Sequence, residues 1–183
     1  ILHTQNGKKA QIVNFNINYV TERLGKSLVK IYSKLIFNYV TSLKERGSKP
    51  FNIIIEEAHR YVQNDIDSDV LGYNIFERIA KEGRKYGILL GLISQRPSEI
   101  SETTLSQCNN FIIFKMTHPT DIAYIKKVVP FMSEENTEKM KSILPGNALC
   151  FGTAFKMPLL VKFEYPDPAP QSDNVNLGSV WFK

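Results

Sequence analysis

The sequence is poor in the features that mark several large classes of protein. It has only two cysteines, Cys108 and Cys150, and no CxxC, too few for a disulfide scaffold, so a reducing compartment is the simpler expectation. Its longest apolar runs, such as residues 87–93, fall far short of the roughly 20 residues a membrane helix needs. The first residues lack the basic-then-apolar order of a signal peptide. No membrane partner and a cytoplasmic setting are therefore expected. There is no GxSxG elbow, and His59 follows Glu56 and Glu57 at the wrong spacing for an HExxH zinc signature. His3 and His118 have no acidic or cysteine cluster within sequence reach, so protein ligands alone are not expected to build a metal site. The 10 Gly and 9 Pro among 183 residues, with 43% hydrophobic and 22% charged residues, exclude collagen-like and disordered chains.

What remains is a packed domain of ordinary size with a mild positive balance, +5 at pH 7. That charge suits an anionic partner without identifying one. The chain opens at Ile1 and reads as a piece of a longer polypeptide. Residues 10–17 carry a short strand pattern, with Ile12, Val13, Phe15 and Ile17 apolar. A long helix follows, with Thr21 placed to cap it and Leu24, Leu28, Ile31, Leu35, Tyr39 and Leu43 forming an apolar stripe directed at a core; Gly47 and Pro50 end it. Residues 51–55, 88–93 and 111–114 are near-continuous apolar runs of the kind found in parallel strands covered on both faces. A helix near 71–84 separates the first two runs. Further helices are expected near 121–129 and 134–142, then two strand-like pieces, 147–153 and 157–163, forming an edge hairpin or meander. From 166 the text turns rich in Pro, Ser and Asp, an extended arm, with an apolar stretch at 175–181 that needs a docking surface. The expected architecture is α/β, a mainly parallel sheet flanked by helices over residues 1–165, with a C-terminal hairpin and the arm at 166–183.

The sharpest local feature is FNIIIEEAHR at 51–60, an apolar strand that ends directly in Glu56 and Glu57. The carboxyl ends of parallel strands line the crevice where such sheets bind ligands. Two adjacent carboxylates there can divide the labour of phosphoryl transfer, one ordering the water shell of a magnesium ion and the next polarising the attacking water. The pattern alone also fits a polar strand end entering a solvated helix. The next apolar run ends in Ser94, Gln95 and Arg96; if the strands are neighbours, Gln95 lies beside Glu57 and can report on a terminal phosphate. His59 is read as linking the acid-bearing strand to its neighbours by hydrogen bonds. Arg84, in GRKYG, stands at a helix end, where an arginine can reach a phosphate on an adjacent subunit. RLGKS at 23–27 is a decoy: a phosphate-binding loop needs glycine five residues before Gly25, and that position is Val20.

The ordered set IIIEEAH at 53–59, KEGRKYGI at 81–88, LISQRPSEI at 92–100, LSQCNNFIIFK at 105–115 and LPGNALCFG at 144–152 resembles the C-terminal half of the HerA/FtsK-like motor ATPases, specifically the HerA-type DNA translocases, over roughly residues 10–181. The resemblance implies a RecA-like P-loop NTPase core lacking its Walker A half. It also implies ATP and Mg2+ as cofactors, double-stranded DNA as substrate, a homohexamer and a NurA-type nuclease partner in DNA repair. Glu56 matches the Walker B acid, in the metal-binding role, with Glu in place of the family's usual Asp; Glu57 matches the catalytic glutamate. Gln95 matches the polar residue of the next strand and, with Glu56, the cofactor contacts. Arg84 is similar to the arginine presented to a neighbouring site, with Lys85 and Arg78 close enough to share that claim. The implied function is a fragment of a DNA translocase or helicase motor that is inactive alone. The alternative is a noncatalytic α/β interaction domain that keeps the fold without turnover.

Overall fold

The computed structural model describes residues 7, 8, 10–63, 73–129, 132–155 and 157–170. The apolar stretch at 175–181 and the start of the helix expected at 71 lie outside them. The chain divides into two compact units, Ile1–Cys108 and Asn109–Lys183.

In the first unit, α1 (Glu22–Thr41) precedes β1 (Phe51–Ile55), and α2 (Ile75–Glu82) precedes β2 (Ile88–Leu92). β1 and β2 pair in parallel, with Ile53 opposite Leu90 and Ile55 opposite Leu92. A 3-10 turn, Gly83–Tyr86, joins α2 to β2. It ends at Gly87, whose φ of 79° strains any L side chain and where an added Cβ would lie only 3.2 Å from Gly47 Cα. Asn74 caps α2 by accepting from the backbone N–H groups of Phe76 and Glu77. The core of this unit joins Phe37 and Val40 of α1 to Ile75, Phe76 and Ile79 of α2 and Ile88 of β2, all buried. Arg78 lies over the Phe37 ring, 4.9 Å from its centre, and over Tyr73; its hydrogen bond to Tyr73 and the charge of Glu82 hold its pKa above the ordinary arginine value.

Four expectations change here. Residues 10–17 form no strand among the described residues, and Ile12 and Phe15 are exposed. Thr21 precedes α1, but its side chain makes no capping bond. The buried face of α1 is not the anticipated stripe: Leu24, Ile31 and Leu35 are exposed, while Gly25, Ser33, Phe37 and Val40 face inward. The small residues admit close neighbours, Ile17, Val20 and Tyr61 lying about Gly25, and counting apolar positions alone gives such residues no weight. Finally, β1 and β2 are covered on one face only. Ile54 and Leu89 are 69% and 64% exposed, whereas Ile55 and Ile88, on the opposite face, are buried.

A short helix, α3 (Glu102–Ser106), closes the first unit, capped by Ser101, which accepts from Thr104 N–H and donates to Glu77 Oε1 at 2.9 Å. The second unit contains β3 (Asn110–Ile113), α4 (Pro119–Val128), α5 (Glu134–Ser142), β4 (Asn147–Gly152) and β5 (Leu159–Lys162). Its strands form an antiparallel meander in the order β3-β4-β5. The hairpin was legible; the pairing of β3 was not, since a third parallel strand was expected there. Two short helices bring the chain back along β3 in the opposite direction, so one parallel ladder and two antiparallel ladders result. Ile122, Ile125, Met140 and Leu149 fill the core of this unit. Residues 166–170 of the expected arm carry no helix or strand. No helix among the described residues is long and apolar enough to cross a membrane.

Candidate functional site at the ends of two parallel strands

The β1–β2 ladder continues one step beyond the strands: Ile93 N–H donates to Ile55 O, and Ala58 N–H donates to Ile93 O, both at 2.9 Å. Between these bonds the chain turns sharply. Glu57 adopts φ 50° and ψ 44°, the left-handed region that costs an L-residue about 1–2 kcal/mol. It is the only non-glycine residue at positive φ among the described residues, and backbone strain of this kind concentrates at functional sites. The turn leads into a 3-10 segment, Ala58–Arg60.

The twist separates the two acids. Glu56 is exposed, and its carboxylate has no hydrogen-bond or ion-pair partner among the described residues. Glu57 is half-buried and engaged on both oxygens. Gln95 Nε2 donates to Oε1 at 2.9 Å, and His59 Nδ1 lies 3.3 Å from Oε2. His59 Nδ1 is also 3.0 Å from Ser94 Oγ, which accepts from Arg96 N–H at 3.0 Å. His59 thus spans the two strand exits, as its place after the acids suggests. Glu57 and Gln95, 38 positions apart in the sequence, meet because their strands are parallel neighbours.

Arg84 does not join them. It stands before β2, whereas Gln95 stands after it; five residues of strand at roughly 3.3 Å each put about 16 Å between those ends. Arg84 and Lys85 are exposed and have no partner among the described residues, while Arg78 is stacked on two rings and Arg96 Nη1 is paired with Glu99 at 3.0 Å. Gly25, Lys26 and Ser27 lie inside α1, where Lys26 bonds Gln63 and pairs with Glu22. His118 has one acid in reach, Asp121, at 3.5 Å. No group of three His, Cys, Asp or Glu side chains able to hold a metal ion exists among the described residues. Sequence reasoning missed the left-handed backbone at Glu57, for which nothing in the residue type gives a signal.

A parallel pair with polar groups at its carboxyl end lies where α/β sheets bind ligands, and solved structures share the fold. The DNA-packaging ATPase of Sulfolobus turreted icosahedral virus superposes with a TM-score of 0.57 at 22% identity, over 73% of this chain and 61% of that one. The genome packaging NTPase of Sulfolobus turreted icosahedral virus 2, in complex with ATP-gammaS, gives a TM-score of 0.57 at 16% identity, over 82% and 65%. The fold class is therefore that of the packaging ATPases. Sequence relatives are more specific. The DNA double-strand break repair helicase HerA of Sulfurisphaera tokodaii is 32% identical over 182 residues, 96% of this chain and 36% of its own. A protein of Methanocaldococcus jannaschii named a probable helicase is 38% identical over 142 residues, 78% of this chain and 27% of its own. No family model matches the sequence. The chain belongs to the HerA family of helicases, and it spans about a quarter to a third of the length of the curated relatives it matches.

Proposed function

We propose that this segment is the hydrolytic part of an ATP-driven DNA translocase, carrying the acids, a polar sensor and an arginine for a neighbouring site. The observation that carries the reading is the 2.9 Å bond from Gln95 to Glu57 across the exits of two parallel strands. Glu57 orients and polarises the attacking water; Gln95 senses the terminal phosphate by exchanging its bond to Glu57 for one to the nucleotide. Glu56 suits magnesium, which keeps much of its water shell and is held by one or two carboxylates together with substrate phosphates, not by an all-protein cage. Its free, exposed carboxylate and the absence of a three-ligand cluster among the described residues fit that mode. When bound, the ion would neutralise phosphate charge. No GxxxxGK[ST] occurs in the 183 residues, so the phosphate-binding loop comes from elsewhere in the polypeptide. Arg84, far from its own Glu57 and unpaired, serves the site of a neighbouring copy. Double-stranded DNA as track, a homohexamer and a NurA-type nuclease partner follow from the same resemblance.

The test is ATP hydrolysis by the complete polypeptide. Glu57→Gln retains nucleotide and stops turnover; Glu56→Ala weakens magnesium-dependent binding as well. Arg84→Ala subunits bind ATP and hydrolyse it poorly, a loss of about 10³ to 10⁵ where an arginine acts in trans. Mixed with Glu57→Gln subunits they regain activity, because some interfaces then join an intact Glu57 to an intact Arg84. Undiminished hydrolysis in Glu57→Gln overturns the assignment. The absence of any turnover in the complete wild-type polypeptide leaves the noncatalytic interaction domain as the reading.

A further inference from the structure

The two groups that hold the Glu57 carboxylate differ in permanence. Gln95, on Oε1, is exposed and exchanges its bond with water at little cost. The His59 side chain, beside Oε2, is only 13% exposed and is tied to the second strand through Ser94. An ionised carboxylate can only accept, so the 3.3 Å approach of His59 Nδ1 to Glu57 Oε2 is attractive only with a hydrogen on Nδ1. Ser94 Oγ then shares that hydrogen as an acceptor, alongside the N–H of Arg96. This arrangement favours the Nδ1–H tautomer, whereas a free neutral imidazole favours Nε2–H; which nitrogen carries the proton is set by such neighbours.

We propose, resting on the hydrolytic reading above, that His59 is a positioning residue for Glu57. It pins Oε2 from beneath, so that Oε1 alone turns to the attacking water when Gln95 lets go. A glutamate side chain has several rotatable bonds, and the left-handed backbone aims only its root. The buried imidazole fixes the far end, and Ser94 and the backbone of Arg96 fix the imidazole in turn. His59 touches neither nucleotide nor water in this scheme, and its whole effect passes through one carboxylate oxygen.

Two measurements test it. Long-range proton–nitrogen NMR of the 183-residue chain at about pH 8, above the ordinary histidine pKa of about 6.5, reads the tautomer of each of its three histidines. His59 is expected as Nδ1–H, returning to mainly Nε2–H in Glu57→Ala; Nε2–H in the unaltered chain overturns the proposal. In the complete polypeptide, His59→Asn places an amide N–H where Nδ1 was, and His59→Gln places it one bond further out. Asn is expected to keep kcat near wild type. Gln is expected to lose on the order of 10²-fold in kcat, as for a misplacement of about 1 Å, with the KM for ATP unchanged. A merely structural histidine would make both variants fall together or survive together, and either result sinks the proposal. If the tautomer is as expected but Glu57→Gln hydrolyses ATP normally, the hydrolytic reading has failed and the hydrogen-bond assignment stands.

Discussion

Replacing Glu57 by alanine and by glycine isolates the strain in the turn that ends β1. Both substitutions remove the carboxylate and with it the contacts to Gln95 and His59, so those losses cancel in the comparison. What differs is the backbone. At φ 50° alanine still bears the left-handed penalty of about 1–2 kcal/mol, from which glycine is exempt. Glycine gives back roughly 0.5–1 kcal/mol through the greater freedom of its unfolded chain. The ladder bonds on either side, Ile93 N–H to Ile55 O and Ala58 N–H to Ile93 O, prevent the alanine variant from relaxing out of the turn. The glycine variant should therefore be more stable than the alanine variant by about 0.5–1 kcal/mol, or roughly 1–4 °C in Tm for a chain of this length. At an ordinary strand position the order is reversed by about the same amount. Thermal and urea unfolding followed by far-UV circular dichroism measures it, with an unchanged m value as the control. An alanine variant as stable as the glycine variant, or more so, would refute the claim that the fold imposes this conformation.

Other outcomes follow from single features. The 183-residue segment alone, in which no GxxxxGK[ST] sequence occurs, should show no magnesium-dependent ATP turnover; saturable hydrolysis abolished by Glu57→Gln in the same segment would contradict this. The Thr104 hydroxyl is buried with no hydrogen-bond partner among the described residues, so Thr104→Val should raise Tm by about 2–4 °C, corresponding to about 1 kcal/mol; a fall would reveal an unseen partner. Burial pushes the thiol pKa values of Cys108 and Cys150 up, which lowers the thiolate fraction at pH 8. Alkylation of the native chain should then be slow at pH 8 and accelerate only above the usual thiol value of about 8.5. Cys108, the less buried, should react first; native rates equal to those in denaturant would contradict this.

The strand ends were more legible in the sequence than the sheet was. Glu56, Glu57 and Gln95 could be placed at strand exits because each follows a near-continuous apolar run, and strand ends are fixed by local sequence. That Gln95 would reach Glu57 needed only that the two runs be parallel neighbours. Global pairing was harder. Phe111, Ile112 and Ile113 form an apolar run much like Ile53, Ile54 and Ile55, yet β3 pairs antiparallel with β4, because partner choice depends on how α4 and α5 return the chain. Likewise α1 was placed correctly and rotated wrongly. Its inward face is set by the approach of α2 and by the space at Gly25 and Ser33, and an apolar count along the helix sees neither.

The opposite placement of Arg84 and Gln95 on β2 gives each subunit a polarity. If Arg84 acts in trans as proposed above, one end would receive a catalytic charge and the other would donate it. A two-fold pair could meet both needs only by lying antiparallel, with each Arg84 at the other copy's Glu57. Head-to-tail association would instead use a different patch on each side of every copy, and such a contact either closes on itself or grows without limit. In an open row the copy at one end always has an acceptor site with no donor, so a row has one working site fewer than its subunits, and closure restores the missing one. Under the proposed trans role, a single strand with different chemistry at its two ends would tie the number of competent sites in a head-to-tail assembly to whether it is a ring.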